Sequence, residues 1–258
     1  MNNVIPNEVA ILLNEKLKLY QTLSFIKDDP ISVPHCFEKL QDIEISGFLT
    51  ALISWGNRKS IIQSAHQLMR IMNYQPYDFI LNYSRTDDKF LKKFYYRTFQ
   101  PSDTLFFVRA LSRYYQQYKS LEEVFFQKPI VEGIQHLREV LLQTPHQKRS
   151  AKHLPDVRKG SAAKRINMFL RWMVRKDCID FGLWKNISIS ELLIPLDIHT
   201  ARTSYYLGLL KNTNSNLKNV LQLTEILKTL DNQDPVKYDF ALFGMSRYEK
   251  IKEMKLKI

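Results

Sequence analysis

Apolar residues recur at three- and four-residue steps along nearly the whole chain, and no apolar–polar alternation lasts long enough to build a sheet. Val9, Leu12, Leu13 and Leu17 open the pattern. Ile45, Phe48, Leu49, Leu52 and Ile53 predict a helix over residues 43–55, which Gly56-Asn57 punctuates. Ile61, Ile62, Ala65, Leu68, Ile71 and Met72 predict another over 59–72. Further helices are expected near 77–81, 87–94, 102–118, 121–126 and 130–142. Only 7 of the 258 residues are glycine, which disfavours phosphate loops, nucleotide-binding α/β folds and turn-rich β folds. An all-α fold is the expectation. With 45% hydrophobic residues, the chain can bury one large core or two small ones.

The formal net charge is +12 and the sequence pI about 9.5, a balance that suits a polyanionic partner. Two cysteines, Cys36 and Cys178, are too few for a disulfide framework or for an iron–sulfur cluster held by four thiolates. The six histidines show no metal-ligand spacing, and His146 and His153 sit in basic sequence that repels a divalent cation. No metal, cofactor or cluster is therefore expected. Asn and Glu interrupt the apolar residues of the first twenty positions, so neither a signal peptide nor a membrane span is expected, and the cytosol is the inferred compartment.

Beyond Thr144 the composition changes. Lys148, Arg149, Lys152, Arg158, Lys159, Lys164 and Arg165 face a single acid, Asp156, and two prolines mark the first half as a loop. A helix over 161–176 is expected next. Ala162, Ile166, Phe169, Leu170 and Met173 form its apolar face, with Lys164, Met168, Arg171 and Arg175 opposite. A solvated charge run is the ordinary reading of such a stretch. A basic loop leading into a helix N-terminus also suits a phosphate. Asp197 is placed to cap a helix lined by Ile198, Ala201, Arg202, Tyr205 and Leu209. Helices over 217–229 and 235–244 follow, and the basic ending EKIKEMKLKI is expected to fray.

Three of these segments, in order, resemble the helix-hairpin-helix DNA glycosylases, nearest their 8-oxoguanine branch. FLTALISWGNRKSII is similar to the opening of that domain. Ser54 is kept, Trp55-Gly56 stand where the family has an amide pair, and Asn57 follows. In GSAAKRINMFLRW, Gly160, Ala162 and Lys164 fall on the family's Gly-x-Gly-x-Lys hairpin, with alanine for the second glycine. In IPLDIHTARTSYYLGLL, Asp197 and His199 match the family's Asp-x-His helix start. YDFALFGM is similar to its closing helix. As a whole, the chain also resembles an uncharacterised bacterial family of unknown function.

The glycosylase resemblance implies a two-lobed helical domain with a cleft. Residues 1–40 then read as an N-terminal helical extension, and residues 41–258 as the domain, with a basic loop at 144–160. It implies base excision from damaged double-stranded DNA by a monomer. Lys164 would be the nucleophile that attacks C1′ and forms an imine, and Asp197 the carboxylate that stabilises the oxocarbenium charge. Trp55, Asn57, Met168 and His199 would contact the extruded base. Lys148, Arg149, Lys152, Arg158, Lys159, Gly160, Ser161 and Arg165 would hold the DNA backbone. Plainer readings stand beside these: Lys164 as a solvated lysine, Asp197 as a helix cap, His199 as a polar helix residue and Trp55 as core. The alternative functions are a non-catalytic DNA- or RNA-binding protein on the same scaffold and an interaction module for an acidic protein.

Overall fold

A computed structural model of the chain describes residues 5–249, among which helices are joined by loops and isolated β-bridges, with no named strand. The fold is all-helical. The backbone divides into two compact units: residues 5–25 with 156–249, and Ile26–Pro155. The N-terminal helix thus belongs with the C-terminal half, and the units part at residues 25 and 155. The tail from residue 250 onward, expected to fray, lies outside the described residues.

The chain opens with α1 (Asn7–Tyr20) and the single turn α2 (Ser24–Lys27). The Ile26–Pro155 unit then carries α3 (Leu40–Leu52), α4 (Arg58–Ile71), α5 (Pro76–Leu81), α6 (Asp88–Leu91), α7 (Pro101–Tyr115) and α8 (Ile130–Leu142). Every residue of α3 from Ile43 to Leu52 is buried, as expected of a helix surrounded by others. It packs on α4, α5 and two 3₁₀ turns at Pro30–Ser32 and Pro34–Cys36. Its one buried acid, Glu44, accepts hydrogen bonds from the Tyr115 hydroxyl, the Ser120 hydroxyl (2.6 Å) and the Leu121 amide (2.8 Å). Asn57 caps α4 by accepting from the Ser60 amide, and prolines start α5 and α7, where an amide N–H is dispensable.

The basic segment expected as a loop is instead wound into 3₁₀ turns at Lys148–His153 and Val157–Lys159. Asp103, in the first turn of α7 and wholly buried, explains the first of these. Its Oδ1 accepts from the Ser150 hydroxyl at 2.6 Å. Its Oδ2 accepts from the Gln100 amide at 2.8 Å and from Arg149 at 2.5 Å, and lies 3.1 Å from His153 Nε2. Burial pushes the Asp103 carboxyl up, but these partners outweigh it and hold the group below the usual carboxylate value.

The other unit contains α9 (Lys164–Val174), α10 (Ile198–Tyr206), α11 (Leu217–Lys228) and α12 (Tyr238–Tyr248). The expected helix over 235–244 begins with a separate 3₁₀ turn, Pro235–Lys237, before α12. Helix α12 packs on α1 and α10. A Cβ at Gly244 would come within 2.1 Å of the Tyr20 ring, so only glycine lets α12 approach α1 this closely.

Helix α9 is buried on both faces from Ile166 to Val174, and Arg175 just beyond it is only 3% exposed. The face read as opposite the apolar one is therefore not a solvated charge run. Arg171 pairs with Asp180 (3.3 Å) and Asp239 (2.5 Å), and lies 4.2 Å from the centre of the Phe240 ring. Arg175 pairs with Asp177, with Asp180 (3.0 Å) and with Asp234 (2.7 Å). Burial pulls the Arg175 guanidinium down, but the three carboxylates more than offset this and hold it above its ordinary value. Asp180 is pushed up to about 6, chiefly by burial and against the pull of both arginines.

Removing a cation from this cluster strands buried carboxylates. Arg175→Met is expected to lower unfolding free energy at neutral pH by about 3–5 kcal/mol, measured by urea denaturation. Asp180→Asn should cost much less, because burial already favours the uncharged carboxyl. A raised folded-state pKa means that Asp180 contributes less stability as pH rises from its ordinary value of 3.8 to about 6. Stability curves over that window should therefore fall less steeply in Asp180→Asn than in the parent chain.

Candidate nucleic-acid interface

The hairpin before α9 is built by backbone geometry. The Asp156 carbonyl accepts from the amides of Lys159 and Ser161, both at 3.2 Å, and the Val157 carbonyl accepts from Gly160 at 3.0 Å. Gly160 closes the turn with φ +79°, and a Cβ there would meet nothing within 4 Å, so its exposed face is open. Ala163, the N-cap of α9, holds φ +48° although it is not glycine, while Ala162 does not enter that region. The position that needs left-handed freedom is thus 163, not the 162 at which the resembled hairpin has its second glycine. The Ser161 hydroxyl accepts from the Ala163 amide at 3.3 Å, and Asn167 Nδ2 donates to the Ala162 carbonyl at 3.0 Å.

The hairpin is tied to a second loop and, through it, to a third helix start. Ser161 forms a β-bridge with Asn216, and the Leu217 amide donates to the Gly160 carbonyl at 2.9 Å. The Ser215 hydroxyl donates to the Leu196 carbonyl at 2.8 Å. Asn216 caps α11, and Asp197, one residue past Leu196, caps α10. The starts of α9, α10 and α11 are therefore linked through residues 215–217. Helix starts carry amides without intrahelical acceptors and the positive end of the dipole.

Asp197 is half-buried, and its Oδ1 accepts from the amides of His199 (2.8 Å) and Thr200 (2.9 Å). Among the described residues no donor reaches its Oδ2. Lys164 is half-buried. Its Nζ lies 3.5 Å from the sulfur of the buried Met168, and among the described residues no carboxylate pairs with it. Arg158, Lys159, Gly160 and His199 are exposed, while Ser161 and Arg165 are half-buried. Burial pushes Arg165 down to about 10.

The remaining residues belong to the Ile26–Pro155 unit. Lys148 and Lys152 are exposed. Arg149 is engaged with Asp103, the Ser102 hydroxyl and the Thr98 carbonyl, so it orders the segment that carries the two lysines. The half-buried Trp55 stacks on His153 with ring centres 5.8 Å apart and meets Tyr96 edge-on at 5.5 Å. Exposed Asn57 is occupied as the α4 cap. Sequence reading missed Ser215 and Asn216, whose only local signal is a polar run, NTNSN.

A family model described as a protein of unknown function, DUF2400, matches residues 29–247. The chain belongs to this family. No curated protein and no solved structure matches it significantly. In this DUF2400 chain no helix of the described residues is long and apolar enough to cross a membrane, and no group of three or more His, Cys, Asp or Glu among them could hold a metal ion.

A left-handed alanine costs about 1–2 kcal/mol relative to the ordinary helical region. Ala163→Gly removes that strain and is expected to raise stability, by up to about 1 kcal/mol once the added freedom of the unfolded glycine is subtracted. Thermal denaturation of the two chains checks this.

Proposed function

We propose that this protein binds duplex DNA as a helix-hairpin-helix glycosylase does and excises a damaged base, with Lys164 as nucleophile and Asp197 as electrostatic partner. The observation that carries the reading is the linkage of the Gly160–Lys164 hairpin to the Asp197 cap through Ser215 and Asn216. Among the described residues, one unit thereby holds an open glycine turn for a phosphate, an amine with no carboxylate partner, and a carboxylate with one oxygen unused. The charge of +12 supports a polyanionic partner. Arg158, Lys159 and the Gly160 and Ser161 backbone would contact phosphate oxygens, and Lys148 and Lys152 are proposed phosphate contacts of the Ile26–Pro155 unit by itself. Within the unit of Lys164 and Asp197, Met168 and His199 are the proposed base contacts; Trp55 and Asn57 are proposed contacts of the Ile26–Pro155 unit by itself.

In this reading the Lys164 amine, once deprotonated, attacks C1′ as the bond to the base breaks. The base leaves with its electron pair and is protonated. The C1′–O4′ bond then breaks, O4′ takes up the remaining N–H proton, and the opened sugar is held as an imine on Nζ. Asp197 Oδ2 stabilises the positive charge that builds on the sugar, while Oδ1 keeps its two amide bonds and so holds the carboxylate in place.

Duplex DNA should bind with an affinity that falls steeply with salt. Lys148→Ala with Lys152→Ala should weaken binding and lower the salt slope without loss of stability. Arg149→Ala should instead lower the melting temperature, because it leaves the buried Asp103 short of a partner.

Borohydride should trap a covalent complex with duplex carrying an abasic site, or with one of a panel of oxidised and alkylated bases. Lys164→Gln should abolish the crosslink and keep DNA binding. Asp197→Asn keeps the cap, since asparagine ranks with aspartate there, yet should lose base release. A crosslink that survives in Lys164→Gln assigns the nucleophile elsewhere, Lys159 first. No crosslink to any substrate excludes the lyase step, leaving an enzyme that uses Asp197 with water or a non-catalytic DNA- or RNA-binding protein.

A further inference from the structure

The Ile26–Pro155 unit contains a cavity of about 220 Å³ where the C-terminal end of α7 meets α8 and the Leu121–Phe125 turn. Its lining includes Arg113, Tyr114, Gln117, Tyr118, Glu123 and His136. None of these residues has a part in the DNA-binding reading.

Two tyrosines form one wall. The rings of Tyr114 and Tyr118 stack with centres 4.7 Å apart and planes 22° from parallel. Tyr114 is 4% exposed and its hydroxyl donates to the Ser120 carbonyl at 2.9 Å, so this ring is fixed. Tyr118 rests on it and is 44% exposed, which leaves aromatic surface open to a further flat ring. Stacked pairs with one solvated face are the platforms on which bases lie, because every base presents a π-face.

Several polar groups of the cavity keep hydrogen-bonding capacity that the described residues do not use. Arg113 donates one N–H to Gln143 Oε1 at 2.5 Å, and among the described residues its other N–H groups find no acceptor. No hydrogen bond from the described residues engages the His136 ring, the Gln117 side-chain amide or the Tyr118 hydroxyl. Glu123 uses Oε1 for the amides of Lys119 (2.8 Å) and Ser120 (3.1 Å), which leaves Oε2 to accept from a ligand N–H. A guanidinium and an imidazole that line one cavity suit a phosphate, to which arginine presents two parallel N–H groups. The volume lies below the roughly 300–1,000 Å³ of sites that enclose drug-sized ligands. It admits one ring system and leaves the rest of the ligand at the rim.

We propose that this cavity is a nucleotide site, in which a base stacks on Tyr118 and donates to Glu123 while its phosphate meets Arg113 and His136. The nucleotide is either free or one residue of a single strand, and the two sources share this chemistry. The site lies within one unit and does not depend on Lys164 or Asp197.

The test uses the full chain with two probes, adenosine monophosphate and a single-stranded hexanucleotide, each titrated by calorimetry. Saturable binding of at least one probe is expected. Tyr118→Leu and Arg113→Gln should each weaken it by about tenfold or more, and Tyr118→Phe, which keeps the ring, by no more than about threefold. Both side chains are exposed, and unchanged melting temperatures confirm that the variants fold. Lys148→Ala with Lys152→Ala should leave binding of the monophosphate unchanged, which separates this site from the proposed DNA surface. Monophosphate binding as tight as that of the hexanucleotide identifies a free nucleotide as occupant; hexanucleotide binding at least tenfold tighter identifies a strand. No saturable binding of either probe, or binding that survives both Tyr118→Leu and Arg113→Gln, overturns the proposal and leaves the Lys164 crosslink a separate question.

Discussion

Buried charge that must be answered by charge organises both halves of this chain. A wholly buried carboxylate is tolerable only when donors surround it. Asp103 meets that demand by drawing Arg149, Ser150 and His153 onto the start of α7, and so turns a basic loop into an ordered 3₁₀ segment. In the other unit the demand runs the opposite way. Arg171 and Arg175 sit at the buried end of α9, and four aspartates from later in the chain converge on them. Helix α9 is thereby held from below by ion pairs while its N-terminal end carries the hairpin. The position of Lys164 depends on this anchoring, because a helix pinned at one end transmits that placement along its rigid length.

The hairpin itself combines strain with openness. Gly160 has space around it, and Ala163 is kept left-handed by the turn that Asp156 and Val157 close. Strained backbone persists where surrounding contacts over-determine it. Here those contacts are the Ser161–Asn216 bridge and the bond from Leu217 to the Gly160 carbonyl. The N-cap role of Asp197 is compatible with the electrostatic role proposed for it. The amides of His199 and Thr200 fix one oxygen, and a fixed carboxylate needs no reorganisation when charge develops beside it. The proposed chemistry at Lys164 and Asp197 therefore draws on groups of one unit and asks nothing of Arg171 and Arg175, which the aspartates hold.

Much of the fold was legible in the sequence because helices are local. The 3.6-residue period placed residues 130–142 on the helix Ile130–Leu142, and brought α3, α4, α7 and α11 within a few residues of their observed ends. Caps were equally local: Asp197 reads as a cap because its side chain needs only the amides two and three residues on. Errors came where a helix end depends on distant groups. Residues 148–153 carry prolines and charge nearby, and nothing local signals that Asp103 will order them.

By itself the sequence determined the helical class, the main helix positions, the cap at Asp197, and the excess of positive charge, since each follows from residues within a turn or two of one another or from composition. Tertiary structure alone decided which of the basic residues are free to meet a partner. Arg149 lies 46 residues from Asp103, and Arg171 lies 68 from Asp239. No periodicity spans such intervals, so a guanidinium bound for solvent and one bound for a buried carboxylate look alike in the chain. The same holds for the hairpin: Ser161 and Asn216 are far apart in sequence, and only folding brings the starts of three helices into one linked set. Charge and helix are local or additive quantities, whereas pairing is a property of the packed chain, and pairing is what separates a structural arginine from one that can hold a phosphate.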